Sequence, residues 1–361
     1  MKWEFRPALE LADDIRACWG AVNQASSHHL LLDPIFVAAL VRHFAAPTVF
    51  FGVMNNGAGG GVVLVERTGR GVWQTFQPSQ APLGLVAFSN VAPISEQRER
   101  FLAMLRSLPG YALQLGIMQQ DPKVAPAPMP HPNFEEIGHI QTGRLLVDVP
   151  FEQYWESRSD DLKDNLKRRL RRLQKGDHIA ELLTRTRPDE MAAALHEYSR
   201  IESAGWKGKS GTAIEENSPQ GHFYRQILEE FSLRGEAVVF ELRLNGTVVG
   251  SELYLLRNRI LIGLKTTYDE SYKVHSPGFL MKYYIVRKVF KENLADAIEF
   301  YGRVVEWQLK WIADTRWIYH LNCYRQPWIQ KAKTWIKKMR GIDRTKELEP
   351  NVAQSSSEPS D

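Results

Sequence analysis

The chain has 361 residues, 43% of them hydrophobic and 24% charged, with a formal net charge of +4. Such proportions describe a folded chain long enough for two domains and exclude a disordered or collagen-like one. Two cysteines, Cys18 and Cys323, are too few for a disulfide scaffold and lack metal-ligand spacing, so no metal is expected.

The start, MKWEFRPALELADD, carries no apolar leader, and no run is long and apolar enough to span a bilayer. The expectation is a soluble cytoplasmic protein without integral membrane contact. Residues 1–46 read as helical pieces, with Asp33-Pro34 opening a helix that buries Phe36, Val37, Leu40, Val41 and Phe44. Strands follow at Thr48–Met54 and Gly61–Arg67, and the glycine run between them is a hairpin loop, because no Lys-Ser/Thr and no helix follow it. Val72–Phe76 is a third strand. The loop after it, QPSQAPLGLVAF, has the makings of a substrate groove. A helix from Pro93 to Leu108, a strand at Tyr111–Met118, a proline-rich crossing and a strand at His139–Val149 complete the first half.

A basic helix comes next, from its N-cap Ser159 to Gly176. Its leucines recur at helical spacing, and Lys163, Lys167, Arg168, Arg169, Arg171, Arg172 and Lys175 clothe the rest. Four uses stay open: a solvated connector, a seat for an anionic cofactor or carrier, a nucleic-acid contact, or a membrane surface. Helices at Pro188–Tyr198 and Gly221–Leu233 flank a Gly/Lys/Ser loop holding Trp206 and Lys207, which suits a lid or groove.

Strands at 236–244, 247–256 and 260–267 then form a meander, the first two joined by Asn245-Gly246, whose residues tolerate the positive φ of a tight turn. The third strand runs through Ser276-Pro277-Gly278 into a helix over 278–292, and a helix N-terminus reached from a sheet edge favours an anion. A strand at Ala297–Tyr301, a helix around Val304–Ala313 and a strand at Trp317–Leu321 follow. The last helix, PWIQKAKTWIKKM, is expected to dock Trp328, Trp335 and Met339 into the core in preference to contacting a membrane, and the tail after Arg344 to be disordered.

Several of these pieces resemble the CelD-like branch of the GNAT superfamily, the cellulose and exopolysaccharide biosynthesis type, and more distantly the FemAB-type aminoacyl transferases. The matching stretches are Asn165–Leu173, Trp206–Ile214, Phe223-Tyr224, the meander, and Leu264–Met281. The resemblance implies an α/β fold of tandem GNAT-like domains, with mixed, largely antiparallel sheets flanked by helices. It implies a degenerate domain over 1–154 and a catalytic one over 155–340, ahead of the 341–361 tail. It also implies an acyltransferase that moves an acyl group from acetyl-CoA or another acyl-CoA to an amine or hydroxyl of a small molecule or saccharide. Two alternatives accompany it: an aminoacyl transferase drawing on tRNA at the 163–175 helix, and a non-catalytic component of polysaccharide synthesis. Carried onto this sequence, the donor groove is Lys265, Thr266 and Thr267, then His275, Ser276, Gly278, Phe279 and Leu280. Direct transfer needs a base, an oxyanion donor and an acid for the leaving thiolate. The candidates are Asp269, Glu252, Glu299 and Tyr301, with Trp206, Lys207, Arg168 and Arg172 contacting substrate. The usual Gln/Arg-x-x-Gly-x-Gly/Ala loop is absent, and Gly278 alone supplies permissive backbone.

Overall fold

A computed structural model describes residues 1–56, 59–90, 93–126, 130–205, 211 and 213–339. Its first element corrects the sequence reading: Lys2–Pro7 is strand β1, which pairs with β2 (Val49–Asn56) and buries Trp3. The helices α1 (Ala12–Ala25) and α2 (Pro34–Phe44) follow β1, and Asp33 caps α2 by accepting the Ile35 N–H at 2.8 Å. Next come β3 (Gly59–Gly69), β4 (Val72–Thr75), the unanticipated short β5 (Val86–Phe88), α3 (Ile94–Ser107), β6 (Gln114–Gln120) and β7 (Phe134–Leu146).

The second half repeats the plan. Helices α4 (Phe151–Glu156) and α5 (Asp160–Lys175) lead to β8 (Ala180–Arg185), α6 (Pro188–Ala204) and α7 (Pro219–Ser232). The meander forms where it was expected, as β9 (Ala237–Leu244), β10 (Thr247–Arg257) and β11 (Ile260–Tyr268), with Asn245 and Gly246 both at positive φ. Then come α8 (Pro277–Lys291), β12 (Ala297–Phe300), α9 (Glu306–Leu309), β13 (Asp314–Tyr324) and α10 (Pro327–Met339). The helix expected over Val304–Ala313 thus shrinks to one turn.

Each half has antiparallel strands, a helix and then a strand parallel to the last of them, β4 with β6 and β11 with β12. All the strands nevertheless join in one mixed sheet, β1-β2-β3-β4-β6-β13-β7-β12-β11-β10-β9-β8, with β5 beside β3. The two halves exchange their closing strands. β7 pairs with β12 of the second half, while β13, the last strand of the chain, lies between β6 and β7. The expected boundary at 154/155 therefore interrupts neither the hydrogen-bond ladder nor the core.

One layer of helices, α1, α2, α6 and α7, covers one face across both halves, and its core runs from Trp19 and Phe36 to Phe223, Phe231 and Ile262. On the other face, α3 covers the first half and α4, α5 and α8 cover the second. Fully burying each such large apolar side chain contributes about 1.5–3 kcal/mol. Ion pairs also cross between the halves: Arg16 to Glu230 at 2.9 Å, and Arg257 to Asp33 at 2.7 Å.

Candidate active site

In β11 the register moves from Leu253↔Lys265 to Tyr254↔Gly263, so Leu264 is an extra residue, a β-bulge. A bulge bends its strand and sharpens the twist. The parallel pairing with β12 stops at the same place, at Gly263↔Phe300, while β11 continues to Tyr268. The two strands part there. Beyond Gly263 the 264–268 stretch of β11 runs on without β12 beside it.

The equivalent parting in the first half is filled. β4 and β6 pair only over Val72–Gln74 and Gln114–Gly116, and the stretch after β4 then packs into the gap. Gly84 N–H donates to Gln119 O at 3.0 Å, and a Cβ on Gly84 would lie 1.9 Å from Met118 O. The QPSQAPLG stretch expected to line a substrate groove is therefore the plug of the first half.

Beyond β11, Asp269 caps a short 3-10 turn, its Oδ1 accepting the Ser271 N–H at 2.9 Å and the Ser271 hydroxyl at 2.6 Å. Its carboxylate is engaged as a cap, not aimed along the parted strands. Ser276 is left-handed, at φ 52°, and α8 starts with no side-chain cap. Gly278 admits the Tyr268 ring, which would sit 3.2 Å from an added Cβ. Cations of α5 frame this helix start. The Arg169 guanidinium lies 4.4 Å over the Phe279 ring, and Arg172 donates to Val274 O at 2.6 Å. The His275 ring contacts His178, and burial, with His178 and Arg172 nearby, lowers its pKa. Arg168 is exposed and turned to Asn165.

Three of the expected contact residues change role. Leu280 is wholly buried in the core, and its N–H bonds to Ser276 O, so its side chain reaches no cofactor. Thr267 is buried and paired with Ser251. Thr266 offers its carbonyl, which accepts from the Tyr198 hydroxyl at 3.3 Å. Trp206 and Lys207 lie outside the described residues.

The four catalytic candidates are not brought together. Glu252 lies on the α8 face, where Lys282 Nζ donates to it at 2.8 Å and the Tyr254 hydroxyl also bonds to it. This ion pair sits at the root of the parting, with Lys282 Nζ 4.9 Å over the Phe300 ring. A shallow dent beside it is lined by Lys282, Phe300, Trp307, Gln308, Trp311 and Ile312. Lys282 was missed in the sequence. The available signal was a lone cation among the core-facing Leu280, Met281, Ile285 and Val286, matching a lone carboxylate in an apolar strand.

Glu299 and Tyr301 face the opposite side, inside the layer between the halves. Arg316 donates to Asp121 Oδ1 at 2.9 Å and to Glu299 Oε2 at 2.9 Å, and Arg144 approaches Glu299 at 3.4 Å. Burial raises the Glu299 pKa. Burial also pushes Asp121 upward, but the Arg316 contact, the Lys123 N–H and the Tyr301 hydroxyl outweigh it and hold that carboxyl low. His29 Nδ1 accepts the Leu31 N–H, which leaves the proton on Nε2 to reach the Tyr301 oxygen at 3.0 Å. Tyr301 in turn donates to Asp121 at 3.1 Å. With burial raising its pKa and its proton committed to Asp121, Tyr301 is held as an interface donor, not presented to a leaving group.

Burial lowers the His29 pKa from 6.5 to about 4. The folded protein thus binds this proton more weakly than the unfolded chain, and stability from His29 is full above pH 6.5 and declines as pH falls toward 4. Urea midpoints measured across that window should fall with acidification in the wild type and fall less in His29→Asn. Equal slopes would contradict the assignment.

On the α6–α7 side of the parting lies a second polar group that the sequence did not suggest. Tyr198 shares its hydroxyl proton between Glu202 at 3.0 Å and the Thr266 carbonyl, and Glu202 also accepts the Ile214 N–H at 2.7 Å. Lys265 lies 5.9 Å over the neighbouring Tyr224 ring. Among the described residues no cluster of His, Cys, Asp and Glu fits a metal ion, and no helix is long and apolar enough to cross a membrane.

Residues 161–308 match the family described as acetyltransferase (GNAT) domain. No protein among the curated ones matches the chain. Of solved structures, the chain is similar to FemX, at 11% identity and a TM-score of 0.54, over 92% of this chain and 99% of that one. It is also similar to the C-terminal domain (DUF2156) assigned to a lysylphosphatidylglycerol synthetase from Agrobacterium fabrum, at 12% identity and a TM-score of 0.51, over 91% and 96% of the two chains. At these identities the structures share a fold with this protein and nothing finer. The match over 161–308, which spans the bulged β11, the parting and α8, makes this stretch similar to a GNAT acetyltransferase domain and supports acyltransferase activity.

Proposed function

We propose that the protein transfers an acyl group from an acyl-CoA to an amine or hydroxyl, using the parting of β11 and β12 as its donor groove. The observation that carries this reading is the bulge at Leu264 together with the end of pairing at Gly263↔Phe300, beyond which β11 parts from β12 beside the start of α8. A CoA would lay its pantetheine amides along that stretch of β11 and its phosphates at the uncapped α8 N-terminus, where Arg169 and Arg172 stand in for the missing glycine-rich loop. The thioester, once bound, supplies an activated carbonyl. The acceptor approaches from the α6–α7 side, where Glu202, linked through Tyr198 to Thr266, takes its proton as the new C–N or C–O bond forms, the C–S bond breaks and CoA leaves as the thiol with a proton from solvent. The plugged parting of the first half supports a tandem arrangement in which 1–154 is a degenerate unit.

A titration calorimetry series with acetyl-CoA tests the reading. Binding is expected in the wild type, weaker by roughly tenfold in Arg169→Ala/Arg172→Ala. Glu202→Gln should keep that affinity while turnover drops by about 100-fold or more. No binding of any acyl-CoA by the folded protein would overturn the donor assignment.

A second reading, transfer from aminoacyl-tRNA, is favoured by the exposed Lys167, Arg168 and Arg171 on α5. It predicts steeply salt-dependent binding of a charged tRNA and none of CoA.

A further inference from the structure

Helix α10 does not dock its aromatic face. Trp328, Trp335 and Met339 are 63%, 62% and 70% exposed, against the expectation that this stripe enters the core. The reason lies in which flank packs. Lys333 reaches Gln114 Oε1 at 3.1 Å and lies over Tyr324, so the side carrying Lys333 faces the sheet. Trp328, Ala332, Trp335 and Met339 follow one another at spacings of four, three and four residues, which places them on one line of the outward side. Lys331, also exposed, borders that line.

The chemistry of this surface is specific. The stretch from Arg325 to Met339 holds no carboxylate, and Arg325 and the exposed Lys331 are its cations beside the outward line. Just before α10, the Arg325 guanidinium stacks 4.3 Å over the Tyr111 ring, itself 69% exposed. Tryptophan, tyrosine and methionine beside lysine and arginine form a surface that is apolar at its centre and cationic at its rim. Protein partners would have to bury the lysines against carboxylates. A bilayer interface takes the same groups at no such penalty, since indole rings settle at the headgroup level and ammonium groups meet lipid phosphates.

We infer that α10 is an interfacial helix that seats the protein on an anionic lipid surface, its axis in the membrane plane and Trp328 and Trp335 inserted among the headgroups. The helix has 13 residues, too few to span a bilayer and enough for a lateral contact. This inference does not depend on the acyl donor.

Vesicle flotation with the full chain tests it. The wild type should float with phosphatidylcholine vesicles containing phosphatidylglycerol, float poorly with phosphatidylcholine alone, and dissociate as salt rises. Trp328→Ala/Trp335→Ala, two surface changes, should weaken partitioning roughly tenfold or more, and Lys331→Glu should weaken it on anionic vesicles only. Lys167→Glu/Arg171→Glu on α5 should leave it unaltered. The inference is overturned if the wild type does not float, or if the α5 variant abolishes flotation while the tryptophan variant retains it. A tryptophan variant that loses self-association in sedimentation, with no vesicle binding by the wild type, would overturn it in favour of a second copy as the occupant. Indole emission already blue-shifted and shielded from iodide at positions 328 and 335 would overturn it in favour of coverage by the chain's own tail.

Discussion

Replacing Lys282 by alanine is expected to lower stability by about 3–5 kcal/mol, the usual result of stranding one partner of a buried ion pair. Lys282 and Glu252 have side chains only 9% and 5% exposed, and they meet at 2.8 Å between α8 and β10. Without the ammonium, the Glu252 carboxylate keeps, among the described residues, the Tyr254 hydroxyl and no cation. The double change Lys282→Met/Glu252→Leu should recover most of the loss, because two apolar groups of similar volume need no compensation. Urea denaturation of the two singles and the double closes the cycle. If Lys282→Ala unfolds at the wild-type midpoint, the pair is solvated and its place at the root of the groove is wrong. A double variant that regains stability but not turnover would assign the pair a further part in holding the groove open.

Arg316→Met should be the other severe substitution, again by about 3–5 kcal/mol. This guanidinium is shared by Asp121 and Glu299, whose side chains are 1% and 6% exposed, and its removal leaves two like charges facing each other. The pH dependence distinguishes this mechanism from simple loss of packing. In the variant both carboxyls have folded pKa values above their unfolded ones, so the fold gains relative stability as pH falls and the gap to wild type narrows. In the wild type Asp121 behaves in the opposite sense: its depressed pKa contributes stability above its unfolded value, which is lost as pH falls through the folded one. Tyr301→Phe, which deletes one hydroxyl from the same network, should lose only about 1 kcal/mol. A gap between Arg316→Met and wild type that stays constant with pH would remove the electrostatic explanation.

Local chemistry made much of the second half legible. Asn245-Gly246 fixes a turn, three apolar runs mark β9 to β11, and Ser159, Ser218 and Pro277 mark helix starts, all signals carried within a few residues. Strand β1 was missed because Trp3 and Phe5 alternate over too short a run to compete with the helical pattern after them. The position of α10 was misread because its stripe has the spacing of a core face, and only the Lys333 contacts say which flank packs. Glu299 and Tyr301 were found as residues but not as a network, since their partners His29, Asp121 and Arg316 are distant in sequence and meet only through the sheet order. No spacing rule reports such a meeting. Glu252 was legible as an oddity; Lys282, which explains it, is read only when the strand and the helix are placed face to face.

The traded strands β7 and β13 have a consequence for how the chain is made. A ribosome delivers residues 1–120 long before 314–324, yet β13 is the strand that covers β6 and lies against β7. Until it arrives, the early half presents bare ladder groups of the kind that recruit foreign strands. Final closure must wait for a segment more than 190 residues downstream of β6, as the Gln120↔Tyr319 pair shows, and contacts so distant in sequence form slowly. The nascent protein is thus exposed to aggregation through most of its synthesis. Any cut upstream of Asp314 would leave a permanently unfinished sheet instead of a smaller enzyme.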